Sequence, residues 1–347
     1  MKNNNSIKII KPDDWHVHLR EGNMMKAVNH SSSRVNHRCI VMPNTEIPIT
    51  TSKQGNDYLN KILTLNKKND FLPLLPCYLT ETLDLKDFKL GLEKKIFIGA
   101  KLYPINATTN SSFGISKIEN IFSALEILED LNKPLLVHGE KVRKDINMFD
   151  REKFFIDEEL VIIRKHFSKL KIILEHVSSK YGADYVNSNQ NMAGTITPHH
   201  MMLTKEDFFH NEKIYPHHFC MPVVKEEKDL IALRNYACSG NAKFFIGTDS
   251  APHHIDFKTS NFSAKPGIFS APCSIELYAT IFDEENAINQ LEKFSSINGP
   301  NFYNFSTNSK HIELIKDKWV VPKFTIYKDI KVQNFMAGKE INWQIKK

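Results

Sequence analysis

Short, almost wholly apolar runs recur along the chain, separated by stretches in which apolar positions return at every third or fourth residue. The runs lie in KIIKPDDWHVH, RCIVMPN, FLPLLPCYLT, IFIGAKLYP, PLLVHGE, KIILEHVSS, AGTITPHH and KFFIGTDSAPH, eight in all. In several of them the apolar residues are consecutive instead of alternating, as expected of parallel strands covered on both faces. The segments between them, among them Ser52 to Lys68, Lys117 to Asn132, Arg151 to Ser168 and Lys225 to Ser239, carry helical spacing. Eight strand–helix units predict an α/β fold, a (β/α)8 barrel of the TIM type. A doubly wound sheet needs no set of eight and usually starts with a Gly-rich first turn, which is missing here. No linker or repeat interrupts the pattern, so residues 1–347 read as a single domain. The tail from about Pro300, with KWVVPKFTIY, reads as a short C-terminal extension.

Composition narrows the class without naming a function. With 41% hydrophobic and 25% charged residues the chain has the material for a large core and no signature of disorder. The net charge of +6 comes from 46 basic and 40 acidic residues spread along the chain. No Lys/Arg block suggests nucleic acid, and only a mild attraction to anionic metabolites follows. Five cysteines, Cys39, Cys77, Cys220, Cys238 and Cys273, are odd in number and form no CxxC pair. Neither a disulfide framework nor a zinc finger is implied, and a reducing compartment fits. MKNNNSIKIIKPDDW holds only a short apolar run and no stretch approaches a membrane span, so the expected location is cytoplasmic, without membrane contact. Sequons such as Asn106 to Thr108 are then accidents of an Asn-rich composition.

The candidate chemistry lies at the ends of the runs. In the stretch DDWHVHLRE, strand alternation puts His16 and His18 on one face with Val17 on the other. Catalytic groups of a barrel of this kind gather at the C-terminal ends of its strands. The second run ends in Asn44, the fourth in Lys101, the fifth in His138, the sixth in His176 and the eighth in Asp249. Singly, each residue has an ordinary reading. His138 and His176 could be hydrogen-bonded core histidines, Asp249 a helix cap, and Lys101 a snorkelling surface lysine. Together, four histidines, a lysine and an aspartate at one mouth point to a metal site, and imidazole with carboxylate suits zinc. A lysine joins such a set if its neutral amine takes up carbon dioxide and becomes a bridging carbamate.

With these residues in hand the chain resembles the amidohydrolase superfamily and, within it, the shorter bacterial dihydroorotases. The likeness runs almost end to end, through PDDWHVHLR, IVMPN, AKLYPINATTNSS, PLLVHGE, EHVSSK, TITPHHM, CMPVVK, GTDSAPH, FSAP and NGPNFY. It implies zinc-dependent, reversible cyclisation of N-carbamoyl-L-aspartate to L-dihydroorotate in pyrimidine synthesis. Two Zn2+ per chain are implied, the more buried held by His16, His18, Lys101 and Asp249, the other by Lys101, His138 and His176. Carbamylated Lys101 and a hydroxide would bridge them, with Asp249 acting as base and then acid. Ring closure consumes a proton, because a carboxylate is lost as water, so acid should favour dihydroorotate. Arg20 can clamp the ring carboxylate bidentately, and Asn44 and His253 match the family's other carboxylate contacts. Thr108 and Thr109 match the pair on a mobile loop that closes over substrate, and Met221 matches a main-chain contact. A homodimer is expected by the same resemblance.

One departure stands out. The family's other main-chain contact falls in NFSAKPGIFSAP, where Pro266 has no N–H to give and a one-residue shift would present Lys265 or Gly267. Two alternatives share the motifs. A hydantoinase or allantoinase has the same ligand set, but those enzymes typically carry a β-rich domain partly built ahead of the first motif, where only 15 residues precede His16. A catalytically dead barrel serving as an assembly subunit would have lost ligands, and all six are kept.

Overall fold

The first apolar run divides in two. Ser6–Ile10, whose residues alternate in exposure, pairs antiparallel with His311–Ile315 outside the barrel, while Asp13–Val17 (β1) is buried throughout. The break falls at Lys11 and Pro12, where proline has no donor for a continuing ladder. This corrects the reading of KIIKPDDWHVH as one strand. The structure, a computed structural model, describes residues 5–67, 69–211, 213–258 and 263–346. The expected helix end at Lys68, and Asn261 and Phe262 of NFSAKPGIFSAP, lie outside them.

The other barrel strands are Arg38–Val41 (β2), the split strand Leu72–Leu74 and Cys77–Tyr78 (β3), Ala100–Leu102 (β4), Leu135–Val137 (β5), Ile172–Leu174 (β6), Met192–Ile196 (β7) and Phe244–Ile246 (β8). All their pairings are parallel, in chain order. The first half of β3 pairs with β2 and the second half with β4, Pro76 standing at the break. β8 meets β1 through Asp249 N–H to the His16 carbonyl (2.9 Å) and His18 N–H to the Ser250 carbonyl (3.0 Å). The buried Asp14 carboxylate stands in for a strand there, accepting from Thr248 N–H at 2.9 Å and from the Thr248 hydroxyl at 2.6 Å.

Register decides which side chains enter the barrel. Tyr78, Lys101, Leu136, Ile173 and Ala193 lie opposite one another on successive strands. Leu136, Ile173 and Ala193 join Trp15, Ile40, Met42 and Phe245 in an interior cluster. The intervening residues, such as Val17, Val137, Ile172 and Phe244, pack outward in the larger core. Helices cover that outer face, among them Ser52–Leu65, Phe122–Asp130 and Glu227–Cys238, within the predicted segments. The first starts at Thr51, which forms a capping box with Gln54. The NGPNFY segment forms the helix Asn298–Tyr303, whose Tyr303 stacks on Trp15 at 4.4 Å and closes the lower end of the interior. Beyond it, short antiparallel strands run from His311 to Ile345, and one of them borrows the N-terminal strand as its partner.

Candidate active site and metal centre

Strand alternation carries His16 and His18 inward together, one on β1 and one just beyond it. Their Nε2 atoms are 3.3 Å apart, and Asp249 Oδ1 lies 3.3 Å from His16 Nε2 and 3.0 Å from His18 Nε2. Across the barrel, His138 Nδ1 is 3.2 Å from His176 Nε2. Lys101 lies between these groups, fully buried, its amine paired with Glu175. The structure therefore brings all six sequence-predicted ligands into one buried cluster.

The donor set fits a metal. Three atoms bound at roughly 2.0–2.1 Å to a tetrahedral ion stand about 3.3 Å apart, and the three atoms at His16, His18 and Asp249 are spaced at 3.0–3.3 Å. Burial lowers the pKa of His16 and His176, and that of His18 to about 3, which favours the neutral form of these three rings, with a lone pair to offer. The outer nitrogens of His18 and His138 are held in the manner of metal-bound histidines, while His176 Nδ1 has no hydrogen-bond partner among the described residues. His18 Nδ1 is 2.9 Å from Asn44 Oδ1 and His138 Nε2 is 2.7 Å from Glu140 Oε2. His16 Nδ1 is 3.0 Å from Glu175 Oε1, although the pair is not aligned as a hydrogen bond. Burial also pushes the Lys101 ammonium well below its ordinary pKa, against the pull of Asp249, which favours the free amine that carbamylation needs.

Above the cluster opens a narrow cleft lined by Arg20, Asn44, Thr108, Thr109, Met221, Pro266 and Gly267 as well as by the histidines. Arg20 adopts φ +59°, its carbonyl accepts from the Tyr58 hydroxyl at 2.8 Å, and its Nε donates to the Pro252 carbonyl at 3.1 Å. One terminal nitrogen of Arg20 is 3.1 Å from His253 Nε2, which is also 2.9 Å from the Pro266 carbonyl. Asn44 donates to the Thr109 carbonyl at 2.9 Å, while Asn110 donates back to the Asn44 carbonyl at 3.0 Å. Asn44 thus ties the 106–112 loop to His18.

At the departure from the family pattern, every main-chain donor is spent or missing. Lys265 N–H donates to the Phe257 carbonyl at 3.0 Å, Gly267 N–H to the Phe219 carbonyl at 2.8 Å, and Pro266 has none. The N–H groups of both neighbours are thus engaged within the protein.

Sequence reading passed over Glu175 and Glu140. Glu175 lies two residues beyond Ile173 and therefore on the same inward face of β6, a signal that alternation alone contained. His176 is the irregular one. It reaches the cluster with φ +42°, in the left-handed region, and Asp249 adopts φ +44°. Such conformations in non-glycine residues cost on the order of 1–3 kcal/mol and gather at active sites. His199, His200 and Cys220 form another buried group. There His200 already uses both ring nitrogens, at 2.7 Å to the Thr197 hydroxyl and 3.0 Å to the Pro222 carbonyl, and Cys220 Sγ is 3.2 Å from that same carbonyl.

No family model matches the chain. Among curated relatives, a protein of Buchnera aphidicola subsp. Schizaphis graminum named dihydroorotase is 44% identical over 345 residues, 98% of each chain. The crystal structure of dihydroorotase from Campylobacter jejuni superposes with a TM-score of 0.91 at 33% identity, covering 99% of this chain and 98% of that one. The L-hydantoinase of Arthrobacter aurescens has a TM-score of 0.81 at 14% identity, over 98% of this chain and 83% of its own, which shows the shared barrel alone.

Proposed function

The chain belongs to the dihydroorotase family, and from that premise we propose a two-metal mechanism at the cluster beneath Arg20. The protein is a hydrolase acting on a cyclic amide, interconverting N-carbamoyl-L-aspartate and L-dihydroorotate in pyrimidine synthesis. The observation that carries the mechanism is the convergence of His16 Nε2, His18 Nε2 and Asp249 Oδ1 at tetrahedral spacing.

His16, His18 and Asp249 would hold one zinc ion and His138 with His176 a second, with Lys101, as its carbamate, contributing to both. Two ions held by these residues would supply Lewis-acid polarisation of the ring carbonyl and a water of near-neutral pKa. Asp249 takes the proton of the attacking water and returns it to the leaving ring nitrogen, and closure runs the same steps in reverse. Arg20 and His253 hold the substrate carboxylate, while Asn44 couples the Thr108–Thr109 loop to His18. Met221 and Pro266 also line the cleft, Pro266 beside His253, offering shape and no donor. A homodimer in the cytoplasm completes the reading by resemblance. No described helix is long and apolar enough to cross a membrane.

The test is turnover of dihydroorotate by metal-stripped and zinc-restored protein, with elemental analysis. Stripping is expected to abolish turnover and zinc to restore it at about two ions per chain, since six ligands exceed what one tetrahedral ion uses. Full activity at one ion or fewer would overturn the two-metal mechanism. Lys101→Ala is expected to lose turnover and to regain part of it with a short carboxylic acid in the medium. An uncarbamylated lysine in fully metallated, active protein would exclude the carbamate.

A further inference from the structure

Behind the Arg20 side of the cleft lies a buried lysine. Lys258 is only 4% exposed. Its amine donates to the Phe219 carbonyl at 3.2 Å, the Lys265 carbonyl at 2.9 Å and the Gly267 carbonyl at 2.8 Å. Three acceptors match the three N–H groups of an ammonium, and no carboxylate among the described residues pairs with it. A buried cation matched only to backbone carbonyls is costly to keep. Burial, with the Arg20 charge adding to it, lowers its pKa to about 7. General stability does not call for such a group, since an apolar side chain could fill the space more cheaply.

Its acceptors show what it holds. Lys265 and Gly267 flank Pro266, the residue that lines the cleft, and the Pro266 carbonyl is 2.9 Å from His253 Nε2. Gly267 adopts φ +147°, and a Cβ there would come within 2.6 Å of the Ala251 carbonyl and 3.0 Å of His253 Cδ2. The segment therefore rests directly on the His253 ring. The same strip is tied to the end of β8, where Ala251 N–H donates to the Ile268 carbonyl at 2.9 Å. Phe219, the third acceptor, stands two residues before Met221, another residue of the cleft wall.

Building on the function proposed above, we infer that Lys258 is a positioning residue for substrate binding: its ammonium gathers the carbonyls of Phe219, Lys265 and Gly267 and so fixes the Pro266–Gly267 wall and the His253 ring around the anionic end of the substrate. Because the main chain at 265–267 has no free N–H to offer, the wall acts by shape and by seating His253. Its placement then depends on a clamp from behind. Lys258 touches neither substrate nor metal and takes no part in proton transfer.

The experiment compares zinc-restored native protein with Lys258→Met, which keeps the stem and removes the donors. KM for dihydroorotate, kcat, metal content and the calorimetric Kd for orotate, a ring carboxylate that cannot be hydrolysed, are measured. KM and Kd are expected to rise at least about tenfold, as for a wall displaced by an ångström or less, with kcat within about threefold and metal content unchanged. Lys258→Gln retains two N–H donors and is expected to fall between the two. Native-like KM and Kd in Lys258→Met would overturn the inference, as would a fall in kcat with both constants unchanged. If the Met variant fails to fold, a Gln variant indistinguishable from native protein overturns it equally. Native protein that restores zinc but leaves dihydroorotate untouched would instead remove the function on which the inference rests.

Discussion

Asp249→Asn is expected to lower turnover of dihydroorotate by at least roughly 10² to 10⁴, the range set by general acid and base groups. The substitution is nearly isosteric. The Asp249 N–H bond to the His16 carbonyl at 2.9 Å, which ties β8 to β1, remains available. Asparagine also suits the left-handed φ of +44° as well as aspartate does. What changes is the chemistry of the side chain. Asp249 Oδ1 faces the Nε2 atoms of His16 and His18 at 3.3 and 3.0 Å. An amide there cannot take a proton from water or hand one to a ring nitrogen, and it makes a weaker metal ligand. Turnover and metal content measured together separate the two losses. An Asn variant that keeps both ions and still loses turnover assigns the proton transfer to Asp249, whereas near-normal turnover would take Asp249 out of the mechanism.

Arg20→Ala has the second large effect, and it depends on the substrate. Arg20 is held by its Nε bond to the Pro252 carbonyl at 3.1 Å, which aims the guanidinium into the cleft beside His253. Truncation leaves a desolvated substrate carboxylate without its main partner, a loss of roughly 2 to 5 kcal/mol by analogy with broken buried charge pairs. In kcat/KM this is a fall of about 30-fold to several thousandfold. Dihydrouracil, which lacks the carboxylate, is expected to be a poor substrate of the native enzyme and to lose far less on the same change. Equal losses with both rings would mean a disturbed metal site. An Arg20→Ala enzyme as active on dihydroorotate as the native one, or a native enzyme preferring the neutral ring, would dissociate Arg20 from carboxylate recognition.

Much of the site was legible because strand alternation and apolar runs are local properties. His16 and His18 share a face by spacing alone, and the apolar residues before Lys101, His138, His176 and Asp249 mark strands whose ends a barrel must gather. The neighbours of the ligands were harder to read. Glu175 was overshadowed by the histidine after it, although alternation puts Glu175 inward. His176 reaches the cluster through a φ of +42°, which residue type does not announce. Asn44 was read only as a carboxylate contact by family pattern, and its further bonds to His18 and the Thr109 carbonyl join segments distant in the chain.

What the amino-acid order determined by itself is the eight-stranded barrel pattern and the six candidate ligands at strand ends, each encoded within a few residues. Tertiary structure decided the rest. It sent Ser6–Ile10 away from β1 to pair with His311–Ile315, committed the N–H groups of Lys265 and Gly267 elsewhere, and placed Lys258 against three carbonyls. The physical reason is the same in each case. A backbone donor or acceptor is free or spent according to what distant segments bring to it, and a buried cation is satisfied by whichever carbonyls the closed fold leaves over.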